Sequence, residues 1–211
     1  ILNMSKKITN IAIVGLGNIG SNLYKYIEKN KVKLFHLTGT FPIVKYISAK
    51  NPKKKRLIKF TKDQWINNPF DILKKDIDIL IELIGGSEGI AKKLVMKALS
   101  KKKHVITANK ALISKYGDSL SMLAEKNKVN LEFEASVAGG VPIIRSIKDG
   151  LLANKINSID GILNGTSNFI LTKMQSEKKN FDSILKIAQK NGYAESNPKS
   201  DLNGEDVKSK I

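Results

Sequence analysis

Residues 192–210 read Gly-Tyr-Ala-Glu-Ser-Asn-Pro-Lys-Ser-Asp-Leu-Asn-Gly-Glu-Asp-Val-Lys-Ser-Lys and concentrate side chains able to do chemistry. Glu195, Asp201 and Asp206 are carboxylates set among turn formers. From Gly204 onward the pattern predicts the first turns of a helix with Asn203 as its cap, which puts Asp206 and Lys210 four residues apart on one face, where they can pair. Three acids near one lysine fit a metal site, a solvated turn before an ordinary helix, or a site that grips an amino acid and moves a proton. On spacing alone, Asp206 also suits an acid that caps its own helix.

A second constellation lies near the other end. The β-branched run 8–14 feeds Gly15-Leu16-Gly17-Asn18-Ile19-Gly20, after which Ile19, Leu23, Tyr26 and Ile27 recur at helical spacing. Strand, glycine loop and helix in that order predict a dinucleotide cradle. Gly15 permits the tight turn, Gly17 lets the backbone approach a pyrophosphate, and Gly20 lets helix and strand pack closely. Asn18 and Ile19 open the helix whose N-terminus faces the phosphates.

The elements that position these groups follow from the patterning. A second strand is predicted over 42–48, and where an NAD-selective site usually places an acid the chain has Ser48-Ala49-Lys50-Asn51. A cation there suits a 2′-phosphate, so NADP is expected with Lys50 as its contact and NAD as the alternative; a solvated lysine is the competing reading. The run 77–84 is apolar enough for a central parallel strand. Gly85 and Gly86 then open the way to a helix with Ile90, Leu94, Val95, Ala98 and Leu99 on its apolar side. Ligands in such sheets bind at the carboxyl edge, so this loop is expected beside the cofactor, as is Lys110 at the end of a strand over 104–107. A helix carrying Leu120, Leu123 and Ala124 and a strand over 131–134 complete a nucleotide-binding domain, residues 1–134.

Beyond Glu134 the chain turns small and glycine-rich, and the second domain is placed over 135–211. Pro142 is expected to open a helix through Ile143, Ile144 and Ile147, residues 155–163 to form a strand, and Asn164-Gly165-Thr166 to lead into a helix through Phe169, Ile170 and Met174. Residues 181–190 read as an amphipathic helix stopped by Asn191-Gly192.

Composition narrows the function classes. With 211 residues and no cysteine, disulfides, zinc–thiolate sites and thiol nucleophiles are excluded. The net charge of +18 invites a nucleic-acid reading, but the lysines are dispersed and the dense runs 53–56 and 101–103 lack interleaved aromatics. A solvated surface is expected, with no nucleic-acid partner. Neither a membrane-spanning run nor the apolar core of a signal peptide is present in the sequence, so a cytoplasmic protein without membrane attachment is expected.

Taken together, several stretches resemble homoserine dehydrogenase: 14–20, Glu82-Leu83-Ile84-Gly85-Gly86, Thr107-Ala108-Asn109-Lys110, 133–142, Gly161-Ile162-Leu163-Asn164-Gly165-Thr166, Gly192-Tyr193-Ala194-Glu195, and Asp201-Leu202-Asn203-Gly204-Glu205-Asp206 through Lys210. The resemblance implies a Rossmann-type doubly wound parallel sheet followed by an incomplete α+β catalytic and dimerisation domain. It implies NAD(P)-dependent interconversion of L-homoserine and L-aspartate 4-semialdehyde in threonine, methionine and isoleucine biosynthesis. It makes Lys210 and Lys110 the active-site lysines, Glu195, Asp201 and Asp206 acids around the substrate, and Gly165 and Thr166 a loop beside the nicotinamide. A monovalent cation, commonly sodium, would rest on backbone carbonyls of Glu134, Val137, Gly139 and Val141, and the full-length form would be a homo-oligomer.

Two substitutions depart from the family pattern: Asn197 where many relatives carry Asp, and Ser167 where Cys is common. The chain also stops at Ile211 where the family's second domain continues, and Ile1 and Leu2 before Met4 read as sequence upstream of a natural start. A truncated form that binds NADP without turnover, and a related Rossmann reductase acting on another amino-acid carbonyl, are the alternative readings. Phosphorylating semialdehyde dehydrogenases are excluded by the missing cysteine.

Overall fold

A computed structural model of the chain describes residues 7–195 and 197–211. Ile1 and Leu2, read above as upstream of a natural start at Met4, lie outside the described residues together with Met4, as does Ser196 within the acidic stretch. The chain divides into two compact units, one ending at Gly139 and one beginning at Gly140, five residues beyond the change of character seen in the sequence.

The first unit is built on a five-stranded parallel sheet of β1 (Lys7–Val14), β2 (Thr40–Ser48), β3 (Ile79–Glu82), β4 (His104–Thr107) and β5 (Leu131–Glu132), in the order β2-β1-β3-β4-β5. Side chains alternate along a strand, and the sheet uses both faces. Ala12, Val14, Leu80 and Val105 face one apolar core with Leu94, Leu99, Leu112 and Leu120 from α2 (Ile90–Ser100) and α3 (Lys110–Asn127). Ile11, Ile13, Ile81, Val44 and Ile47 face the other with Tyr24 and Ile27 from α1 (Asn18–Thr38). The strand order reverses between β1 and β3, which fixes the crevice at their carboxyl ends as the place for a ligand.

Strand β3 is four residues shorter than the apolar run 77–84: the Leu83 N–H still reaches the Val14 carbonyl, but the N–H groups of Ile84 and Gly85 turn back to the Glu82 carboxylate, and the chain leaves the sheet there. Likewise β5 covers only Leu131–Glu132, and a 3₁₀ turn at Glu134–Ser136 follows.

The second unit contains α4 (Ile143–Arg145), which continues as a π-helical turn at Ser146–Gly150, and then α5 (Gly165–Glu177), α6 (Phe181–Lys190), α7 (Lys199–Leu202) and α8 (Glu205–Lys208). Ile170, Ile184, Ala188 and Ala194 form its core. The strand expected over 155–163 does not form. A strand needs a neighbour to take its N–H and C=O groups, and among the described residues this unit holds no other strand, so Ile156, Ile159 and Ile162 are left exposed despite their β propensity.

Three helix ends are closed by lysines rather than glycines. Lys102 (φ +55), Lys128 (φ +56) and Lys178 (φ +50), following α2, α3 and α5, adopt the left-handed conformation. Among the described residues, no helix is long and apolar enough to cross a membrane.

Candidate active site

In the first unit the glycine loop is locked between two neighbours. The Gly15 N–H donates to the Ser48 carbonyl at 2.9 Å, and the Leu83 N–H to the Val14 carbonyl at 2.7 Å. At φ +104, Gly15 sits where a Cβ would overlap the Leu83 carbonyl and lie 2.9 Å from the Ile84 nitrogen. A Cβ on Gly20 would strike the Gly15 carbonyl, its carbon at 3.0 Å. Gly17 differs: its conformation is extended (φ −76, ψ −159) and nothing lies within 4 Å of a Cβ there. Two glycines are therefore required by packing within the chain, while the third leaves open space in front of the loop.

Gly17 is the cap position of α1, with no side chain capping the helix and no acid in its first turn. Asn18 and Ile19 are exposed in that turn, Ile19 by 66%. Uncapped N–H groups and the positive end of a long helix dipole suit an anion, so the cradle fits the pyrophosphate of a dinucleotide. Gly85 (φ +86) and Gly86 (φ +82) lie in the loop after β3, again with open space around both.

Lys50 is exposed two residues past Ser48, the residue that binds the glycine loop. The sequence reading overlooked Arg56, whose guanidinium reaches the loop itself. It donates to the carbonyls of Leu16 (3.4 Å), Lys54 (2.9 Å) and Asn51 (2.7 Å), with its centre 5.1 Å from the Trp65 ring centroid. The signal was the cation in the run 53–56 followed by the chain's one tryptophan.

Lys110 is half-buried as the first residue of α3, directly after Asn109, whose side chain caps that helix by accepting from the Leu112 N–H at 3.1 Å. The same Asn109 donates to the Gly86 carbonyl at 2.7 Å, joining the loops after β4 and β3. Glu88, farther along the β3–α2 loop, accepts from Lys115 (2.6 Å) and from the Tyr116 hydroxyl, and these donors hold its carboxyl down at about 2.

The second unit assembles most of the acidic stretch around one amide. Asn164 caps α5 by accepting from the Ser167 N–H at 2.8 Å, while its Nδ2 donates to Asp201 Oδ1 at 2.9 Å and Asp206 Oδ2 at 2.8 Å. Thr166 donates to the Tyr193 carbonyl at 2.6 Å and to Asp201 Oδ2 at 3.2 Å. Lys210 Nζ donates to Asp206 Oδ2 at 2.7 Å and to the Leu163 carbonyl at 2.6 Å, its side chain only 19% exposed. Gly165, the first residue of α5, follows this amide.

The predicted pairing of Asp206 with Lys210 is present, and Asn203 accepts from the Glu205 N–H at 3.0 Å although Gly204 holds the cap position of α8. Glu195 is exposed; its carbonyl accepts from Gln189 at 3.2 Å, and no hydrogen bond among the described residues joins its carboxylate to the Asn164 cluster. No group of three His, Cys, Asp or Glu side chains among the described residues is arranged to hold a metal. Of the carbonyls proposed for a monovalent cation, Glu134 accepts from the Val137 N–H (3.2 Å) and Val141 from the Ile143 N–H (2.8 Å), while Gly139 has φ +59. Val141 belongs to the second unit and the other three to the first.

Comparison with known proteins bears on both units. The sequence profile of the homoserine dehydrogenase NAD-binding domain matches residues 15–134, more than half of the chain. The chain belongs to the homoserine dehydrogenase family. A second homoserine dehydrogenase profile covers residues 142–211. Homoserine dehydrogenase of Bacillus subtilis is 41% identical over 206 residues, 97% of this chain and 47% of the relative. A homoserine dehydrogenase structure from Thiobacillus denitrificans superposes with a TM-score of 0.81 at 39% identity, over 97% of this chain and 47% of that one. A hyperthermophilic archaeal homoserine dehydrogenase in complex with NADPH gives a TM-score of 0.73 at 27% identity, over 96% and 67%. The present chain thus spans about half the length of the curated homoserine dehydrogenases it matches.

Proposed function

We propose that the protein interconverts L-homoserine and L-aspartate 4-semialdehyde with NADP as the preferred nucleotide. The observation that carries the reading is the second-unit cluster, in which an amine, Lys210, is oriented by Asp206 and the Leu163 carbonyl beside a second carboxylate, Asp201. A nicotinamide cofactor, when bound, supplies the hydride acceptor for the alcohol and the donor for the aldehyde.

The chain's own groups have the remaining tasks. An ammonium has three N–H donors, and among the described residues Lys210 commits two of them within the protein, so that the third is proposed to reach a substrate oxygen. Aimed at the carbonyl oxygen, it stabilises the negative charge that develops there and donates the proton of the new hydroxyl; as a neutral amine it takes that proton back in the reverse direction. Lys110 is the assisting amine. Asp201, Asp206 and Glu195 supply negative charge for the substrate ammonium, with Glu195 the least committed to internal bonds. Gly15, Gly17, Asn18, Ile19 and Gly20 hold the pyrophosphate, Gly85 and Gly86 belong to the same cofactor edge of the first unit, and the family resemblance assigns Gly165 and Thr166 to a loop beside the nicotinamide.

NADP preference rests on Arg56 and Lys50, two cations without a competing acid in the segment after β2. A monovalent cation on the carbonyls of Glu134, Val137, Gly139 and Val141, a homo-oligomeric full-length form and a cytoplasmic location complete the proposal, supported by the family resemblance.

The test is NADPH production from homoserine and NADP, and its reverse from aspartate semialdehyde, by the parent and by Lys210→Ala. The variant is expected to lose about 10²–10⁴-fold in turnover with unchanged NADPH affinity. Cofactor binding by the parent with no turnover of either substrate refutes the proposed activity.

A further inference from the structure

We infer that Glu82, a residue outside the glycine loop and the lysine–carboxylate cluster, is the positioning residue of the cofactor site; the inference rests on the cofactor reading above. Glu82 ends the central strand β3 and is fully buried, paired in register with Val14 of β1 on one side and Thr107 of β4 on the other. Among the described residues, the hydrogen-bond partners of its carboxylate are all donors. Oε2 accepts from the Thr107 hydroxyl at 2.6 Å, and Oε1 accepts from the N–H groups of Ile84 at 2.7 Å and Gly85 at 3.2 Å.

These bonds tie together the loop after β3 and the end of β4 at the carboxyl edge near the switch point. Through Ile84 and Gly85, the carboxylate shapes the peptide against which Gly15 packs without room for a Cβ. Through Thr107, which accepts from the Asn109 N–H at 3.0 Å, it orients Asn109, and Asn109 holds the Gly86 carbonyl and caps α3 just before Lys110.

A buried carboxylate is a costly way to hold a sheet together, since an apolar side chain would fill the same space without desolvation. What an apolar residue cannot do is accept three hydrogen bonds from two loops. Glu82 therefore sets the shape of the surface that receives the nucleotide, with no need to touch it.

The experiment compares NADPH affinity, read by energy transfer from Trp65 and by calorimetry, and apo thermal midpoint for the parent, Glu82→Gln, Thr107→Val and the double variant. Affinity measured well below each midpoint separates positioning from mere stability. Glu82→Gln is expected to weaken NADPH binding about tenfold to hundredfold, in line with loss of hydrogen bonds to a charged group. Thr107→Val should do the same, and the double variant should lose less than the product of the two. Lowered midpoints with affinities within twofold of the parent overturn the inference and leave Glu82 a fold element. If Glu82→Gln does not fold, Thr107→Val carries the same comparison. Failure of the parent to bind NADPH or NADH overturns the cofactor reading instead.

Discussion

Gly15 and Gly17 stand two residues apart in one loop, yet alanine at each should damage a different property. At Gly15, alanine must hold φ near +104, a conformation that costs an L-residue about 1–2 kcal/mol. Its Cβ also drives into the Leu83 peptide, a backbone obstacle that no rotamer change relieves, adding about 1–3 kcal/mol of overpacking. The sum, roughly 2–5 kcal/mol, should lower the midpoint of the first unit by roughly 4–20 °C at the ~2–4 °C per kcal/mol usual for chains of this size. At Gly17, φ is ordinary and open space surrounds the added methyl, so the midpoint should move by no more than about 2 °C. That methyl instead occupies the space into which a pyrophosphate would come, and NADPH affinity should fall at least about tenfold. Thermal melts followed by fluorescence of Trp65, which reports the first unit, give the first quantity, and NADPH titration of folded protein gives the second. An unchanged midpoint for Gly15→Ala refutes the packing argument, and parent-like NADPH affinity for Gly17→Ala refutes the cradle.

Asn164→Ala removes a helix cap and the shared donor between Asp201 and Asp206, and urea unfolding followed by circular dichroism should show the second unit destabilised by about 1–3 kcal/mol. Glu88 is held at about 2 in the folded state by Lys115 and Tyr116, below its ordinary 4.5, so its contribution is present above about pH 4.5 and lost as pH falls toward 2. The midpoint difference between the parent and Glu88→Gln should therefore shrink from pH 7 to pH 2.5, and also in high salt because the pair is exposed. Arg56→Ala should weaken NADPH more than NADH, by about tenfold in the ratio of dissociation constants; an equal loss for both nucleotides would restrict Arg56 to shaping the loop.

The parts of the fold that were legible in the sequence are those whose pattern is also their cause. The apolar run before Gly15, the helical spacing after Ile19 and the sequence His104-Val105-Ile106-Thr107 determine burial directly, and the elements form where the patterns lie. The pairing of Asp206 with Lys210 was legible for the same reason, since four residues on a helix fix a face. What was not legible depends on long-range partners. Residues 155–163 have strand composition without a strand to pair with. Glu82 lies inside an apolar run and Asn164 before a helix, but the Thr107 hydroxyl that bonds the one and the carboxylates that bond the other lie 25 or more residues away. Arg56 joins a carbonyl 40 residues distant, a distance no local pattern encodes.

The three lysines that end helices in the left-handed conformation have a consequence for engineering. Each carries a penalty of about 1–2 kcal/mol for its backbone, partly offset by a positive side chain at the negative end of a helix dipole. Glycine there removes the penalty while adding about 0.5–1 kcal/mol of unfolded-chain entropy, so Lys102→Gly, Lys128→Gly and Lys178→Gly should be neutral to mildly stabilising, and combined should raise the midpoint without altering any residue of the proposed site. The same exchange removes three positive charges from a chain of net +18. Thermal tolerance and surface charge can thus be adjusted together at helix ends, separately from the loops that would do the chemistry.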